Sequence, residues 1–315
     1  MAANLAKGLN GKTAIILAEK PGWHDMGDIE AGPFATDRAL EAIGYEVELR
    51  PVTVQGVGEW ERQYAPVRKD TNQILGSRLL SSGYKVIQNR DFLEAIDTVF
   101  GEAGSRYETV GALGKGERVW ALARMPEAFD VAQGDTIQPY LLASTSHDGT
   151  ARLTIRPTTV RVVCQNTLTL ALHNEAAWMV NIGHNGDPVR KLKEACEILA
   201  QASREFTNFK DAAESLKKKT LTQDELTGYI AKLLSDRGER GQKKASETIL
   251  EILHSATCTV GGIEGTAWAA FNAVSEFLDH HGRASDESSL FNSVTVGVKA
   301  QAKADAFRAA LALAS

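Results

Sequence analysis

Two short stretches of this sequence place arginines where β-strands would present them together. In Arg118-Val119-Trp120-Ala121-Leu122-Ala123-Arg124, a side-chain period of two puts Arg118, Trp120, Leu122 and Arg124 on one face. Val119, Ala121 and Ala123 fall on the other. In Arg152-Leu153-Thr154-Ile155-Arg156, both arginines and Thr154 oppose Leu153 and Ile155, and Arg161 follows beyond Pro157. Guanidinium groups clamp phosphates, often in bidentate fashion. An indole adds a stacking surface worth about 1–3 kcal/mol per base. Arg118, Trp120, Arg124, Arg152, Arg156 and Arg161 therefore form the candidate nucleic-acid-binding set. The competing reading is a solvated sheet face, with Trp120 in a core and the arginines paired to Glu108 or Glu117.

A second basic zone comprises Lys217-Lys218-Lys219 and the run from Arg237 to Lys244, on either side of a helix beginning near Gln223. It reads either as solvated helix ends or as an electrostatic guide for a nucleic-acid backbone. Ser146-His147-Asp148-Gly149 has a catalytic look, but Asp148-Gly149 is also a hairpin turn signal that leaves His147 at a strand end. His280 and His281 beside Asp279 are the densest histidine cluster. Consecutive helical residues diverge by about 100°, so the pair is poorly placed for one ion, and imidazoles suit the last turn of a helix. A metal-dependent nuclease using His147, Asp148, Asp279 and His280 is the weakest of the readings. Gly11-Lys12-Thr13 lacks the glycine of a phosphate loop, because Ala6 occupies that position. No G-x-S-x-G elbow or H-E-x-x-H pair occurs, and no cofactor or metal is expected.

The elements that must position these residues follow from periodicity and turn chemistry. A short strand over 13–17, a helix over 37–43 capped by Thr36 and stopped by Gly44, and a strand over 45–54 come first. Asp70-Thr71-Asn72 marks a turn. Asn89 caps a helix carrying Phe92, Leu93, Ile96, Val99 and Phe100, and strands follow over 107–113, 117–125, 136–147 and 150–163, with Pro157 marking an edge or bulge. Over 165–173 a leucine alternation competes with helical spacing, and helix is favoured. Asp187-Pro188 opens a long helix to about Phe206. Thr222 to Glu225 is a capping box, and further helices run over 245–253, 266–280 and 298–313. The expected fold is α+β: an antiparallel sheet with a β-hairpin packed on helices, followed by a helical C-terminal region. The expected divisions are an arm over 1–35, a core over 36–186 and a helical region over 187–315.

The chain has 315 residues and a formal charge of -5, which excludes a polycation coating nucleic acid by bulk charge while permitting a local basic track. No apolar run is long enough to span a bilayer and no basic-then-apolar leader opens the sequence, so no membrane partner and a cytoplasmic location are expected. Cys164, Cys196 and Cys258 are too far apart for a metal ribbon and leave one unpaired.

The segments Tyr84 to Asn89, Arg106 to Gly111, Arg118 to Arg124, Tyr140 to Gly149 and Thr158 to Leu168 resemble the phage/plasmid-like protein family, built on a domain of unknown function numbered nine-three-two. Pro21 to His24, Gly265-Thr266 and Asn272 to His280 extend the resemblance over most of the chain. It departs in the Lys-rich insert over 207–244 and over 288–298. The resemblance implies a gene carried by bacteriophages or plasmids in a bacterial cytoplasm. The element order also resembles the core of ring-forming single-strand annealing proteins, by analogy of order alone. The expectation is a non-enzymatic DNA-metabolism protein, a homo-oligomer that binds single-stranded DNA and would promote annealing and recombination. The alternative is a structural or host-interaction protein of a mobile element that self-assembles without nucleic acid.

Overall fold

The computed structural model describes residues 6–18, 28–101, 106–125, 128–161, 166–169, 180–191, 202–281 and 298–314. Its strands are β1 (Ile15–Ala18), β2 (Asp28–Glu30), β3 (Val47–Val54), β4 (Gly58–Arg68), β5 (Leu80–Ser81), β6 (Arg106–Leu113), β7 (Arg118–Arg124), β8 (Phe129–Ala132), β9 (Asp135–Ser146), β10 (Leu153–Arg161), β11 (Asn166–Thr169) and β12 (Val180–Ile182). Its helices are α1 (Thr36–Ile43), α2 (Asn89–Gly101), α3 (Ala202–Lys218), α4 (Gln223–Leu233), α5 (Glu239–Leu253), α6 (Ala256–Thr259), α7 (Ala267–Glu276) and α8 (Val298–Ala314). The fold is α+β with a helical C-terminal region. The chain divides into two compact units, residues 1–126, 140–156 and 178–201 in one and the remainder in the other, with boundaries inside β9 and β10.

In the first unit the main sheet runs β2-β1-β6-β7-β9-β10, with β12 also on β10. β1 and β2 are parallel, and the described ladders β1–β6, β6–β7, β7–β9 and β10–β12 are antiparallel. Val110, Val119, Ala121 and Ala123 are fully or almost fully buried. Tyr107 lies opposite Ala123, and its hydroxyl donates to the Leu93 carbonyl at 3.0 Å, so this apolar face turns toward α2. Phe92, Leu93 and Ile96 at helical spacing close that side, as do Leu40 and Ile43 of α1. A separate three-stranded sheet, β3-β4-β5, has a buried base at Val47, Ala65 and Val67 and an exposed far end.

The second unit is a helical core built around Phe209, Trp268, Phe271 and Phe307, with ring centroids 5.0–6.2 Å apart. The Trp268 indole donates to Asp135 at 2.7 Å, which satisfies its one polar atom inside the core. Thr222 and Glu225 form the reciprocal capping box that starts α4.

Several expectations change at the level of elements. Within the expected arm over 1–35, β1 is buried along its whole length between β6 and β2. Thr36 lies inside α1 rather than capping it: Ala35 is the N-cap, and the Thr36 hydroxyl bonds Asp97 instead. Asn89 is spent on tertiary bonds to the carbonyls of Ile43 and Tyr45. The Asp148-Gly149 turn belongs to a longer connection over 147–152, where Asp148 accepts from the Thr150 backbone at 3.0 Å and Gly149 has a positive φ of 71°.

Residues 166–169, expected helical, form β11 on β10, where Thr158–Arg161 offers an open ladder beyond Pro157. That pairing outweighs a weak helical spacing. β8 was not anticipated at all. Helix begins at Pro188 as the Asp-Pro signal requires, although 192–201 lies outside the described residues, and α3 extends past Phe206 to Lys218. Also outside them lie 162–165, 170–179, 19–27 with the Pro21–His24 resemblance, 282–297, Cys164 and Cys196.

Candidate nucleic-acid interface

β7 and β10 both flank β9, so they run about 9–10 Å apart. Trp120 sits opposite Ser144, and the Ser144 hydroxyl contacts the Thr154 hydroxyl at 3.1 Å, so all three side chains share one face. The two-residue period then carries Arg118 and Arg124 onto that face from β7 and Arg156 from β10, while Arg152 lies in the connection just before β10. Arg118, Arg124 and Arg156 thus share the side of the sheet opposite α2, with Arg152 exposed immediately before β10. Along β7 the pair Arg118 and Arg124 spans roughly 20 Å.

These groups differ in exposure. Arg124 and Arg152 are exposed, and Arg118 and Arg156 are half-buried. The Arg118 guanidinium donates to the Thr150 hydroxyl at 3.2 Å, and burial draws its pKa down, against the opposing pull of Asp148 and Glu117. Arg124 stands 3.9 Å from Glu108, a carboxylate already taken by the Tyr140 hydroxyl at 2.7 and 2.8 Å. Trp120 is only 7% exposed. Its ring lies over Gly111, where a Cβ would come within 3.2 Å of the indole, so the absent side chain makes its berth. The indole is therefore a packing residue at the centre of the face, not an open stacking platform. Arg161 ends β10 opposite Asn166, and its side chain lies outside the described atoms.

Beside this face, the histidine expected at a strand end has a different occupation. His147 is wholly buried, and its Nε2 is 2.9 Å from the Asn89 carboxamide oxygen. Burial lowers its pKa to about 3, so the ring is neutral. Tyr45 meets it edge-on and donates its hydroxyl to the Gly116 carbonyl at 2.8 Å. The Arg68 guanidinium lies 3.8 Å above the Tyr45 ring, donates to the carbonyls of Lys7 and Lys115, and pairs with Asp70 at 2.6 Å. His184 stacks on Tyr84 and holds Thr145 and the Lys85 carbonyl, and its pKa too is drawn down by burial. This network ties α1, α2 and the loops at Lys115 and His147 together, which is structural work.

In the second unit Asp279 accepts from Lys303 at 2.7 Å, with both groups nearly or wholly buried, and His280 and His281 lie in a π-helical turn. Among the described residues no cluster of three or more His, Cys, Asp or Glu could hold a metal ion. Of the second basic zone, Lys217 donates to the Val131 carbonyl at 2.7 Å and Lys219 pairs with Glu225 at 2.7 Å, while Lys218 is exposed.

β3 was expected as a strand over 45–54, but the hairpin it forms with β4 was not. Its far end exposes Val54, Val57 and Trp60, the last at 55%, and Arg62 adopts a positive φ of 60°. The signal was Gln55-Gly56-Val57-Gly58 between two alternating runs.

A family profile described as Domain of unknown function (DUF932) matches residues 77–310. Neither the curated proteins nor the solved structures give a match.

Proposed function

We propose, for a chain that belongs to the family of the domain of unknown function (DUF932), that the arginine-bearing sheet face binds the sugar–phosphate backbone of single-stranded DNA. The observation that carries this reading is the placement of Arg118, Arg124 and Arg156 on one face, across the two strands that flank β9, with Arg152 exposed just before β10. Arg124 and Arg152 are exposed enough to meet phosphate directly. Arg118 and Arg156, half-buried, would set the local potential more than the contact. Affinity of this kind comes from charge neutralisation and counterion release, without cofactor or covalent step.

Displaying two neutralised strands on an oligomer is sufficient for annealing, which is the activity this reading extends to. A phage or plasmid origin and a bacterial cytoplasmic setting belong to the same proposal. The test is a salt titration of binding to a labelled oligothymidylate. Arg124→Ala with Arg152→Ala should make the slope of log affinity against log salt shallower by about 1.4, at roughly 0.7 per lost phosphate contact. A double variant that keeps its fold, affinity and slope sinks the idea.

A second reading, assembly without nucleic acid, draws on the exposed Val54, Val57 and Trp60 at the hairpin end. An oligomeric mass that falls on Trp60→Ser and is indifferent to DNA would favour it.

A further inference from the structure

The second unit carries a charge arrangement that its own helix chemistry does not explain. α5 begins at Glu239, and Arg240, Lys243 and Lys244 occupy its first turns at spacings of three and four, hence on one face. All three are exposed. Among the described residues their charged groups make no hydrogen bond or ion pair, although Glu239 and Glu247 each stand four residues from Lys243 along the helix.

Cations here are unfavourable twice over. They lie at the positive end of the helix dipole, and Arg240 repels both Lys243 and Lys244 across a single turn. Arg237, just before the helix, adds a fourth charge, with its guanidinium 5.3 Å from the centre of the Phe277 ring. It also helps hold Lys299 below its ordinary pKa, behind the larger effect of burial and against Asp279. Cations that bear a local electrostatic cost and have no partner among the described residues are available to a ligand outside the fold.

We infer that the Arg237–Lys244 stripe at the start of α5 is a second contact surface for a nucleic-acid phosphate backbone. The stripe lacks the apolar anchors a membrane-surface helix inserts. Gly238, Gly241 and Gln242 intervene, while Ala245, Ile249, Ile252 and Leu253 of α5 are buried in the helical core. A helix rises about 1.5 Å per residue, so the three helical charges repeat over about 6 Å, a length that matches successive phosphates better than one carboxylate. The inference rests on the nucleic-acid reading of the chain and assigns the second unit its own share of the contact.

The experiment uses the full chain in two variants, each titrated with salt against the same labelled oligothymidylate. One carries Arg240→Gln, Lys243→Gln and Lys244→Gln, the other Arg124→Ala and Arg152→Ala. The stripe variant should keep its helical circular dichroism and lose about 2 from the salt slope. An unchanged slope in the stripe variant, with the sheet variant weakened, overturns this inference and leaves the sheet face standing. The reverse outcome supports the stripe and overturns the sheet face. Loss of binding to vesicles of phosphatidylserine, without any effect on DNA, would also overturn it.

Discussion

Arg68 shows how much a single side chain can organise. It is 1% exposed, lies on Tyr45, serves two backbone carbonyls and meets Asp70, a geometry that needs a planar fork. Arg68→Lys retains the charge but cannot make all these bonds, and should destabilise the protein by about 3 kcal/mol in urea unfolding. His147 offers a pH test. The folded protein holds it neutral to about pH 3, whereas the unfolded chain protonates near 6.5. Its contribution is therefore fully present above pH 6.5 and is lost as pH falls toward 3, by up to about 1.4 kcal/mol per unit. His147→Gln should be less stable at pH 7 and lose less between pH 7 and 5; a wild-type-like decline in the variant would refute the assignment. The Ser-His-Asp-Gly motif was visible in the sequence, but its meaning was not. Asn89, Tyr45 and Arg68 lie tens of residues away, and only the folded chain brings the Asn89 carboxamide to that imidazole.

Among the elements, those fixed by their own residues were legible. The capping box of α4 needs only Thr222 and Glu225, and both reciprocal bonds form, at 3.2 and 2.8 Å. Thr222→Ala should cost about 1 kcal/mol in the thermal stability of the protein. The arginine alternation of β7 was likewise readable, because the pleat enforces it. What could not be read were choices decided by a distant partner: β11 pairing with β10 rather than coiling, or Thr36 turning to Asp97. Trp120 belongs here too, since its burial depends on Gly111 in the neighbouring strand. The 147–152 connection is held by Asp148 and by a left-handed Gly149, where a Cβ would approach Leu80 to 2.8 Å. Gly149→Ala should therefore destabilise by about 1–2 kcal/mol, measured by denaturant midpoint.

At the scale of the whole molecule, a net charge of -5 coexists with two local concentrations of cations, one on the sheet and one at the start of α5. On the proposed binding, attraction comes from these local cations through counterion release, so affinity should fall steeply as ionic strength rises. Binding to oligothymidylate that persists unchanged from about 50 to 200 mM salt would contradict this. The first unit is also discontinuous in sequence, and that bears on how the protein is made. β12 and His184, which close one side of β10 and fasten Lys85 and Thr145, are encoded well after the strands they complete. Val180 follows Arg161 by 19 residues, so at a ribosomal rate of about 5–20 residues per second that edge of β10 stays open for about 1–4 s before β12 emerges. A nascent chain halted before β12 would therefore present an unpaired ladder, the species a chaperone would hold during synthesis.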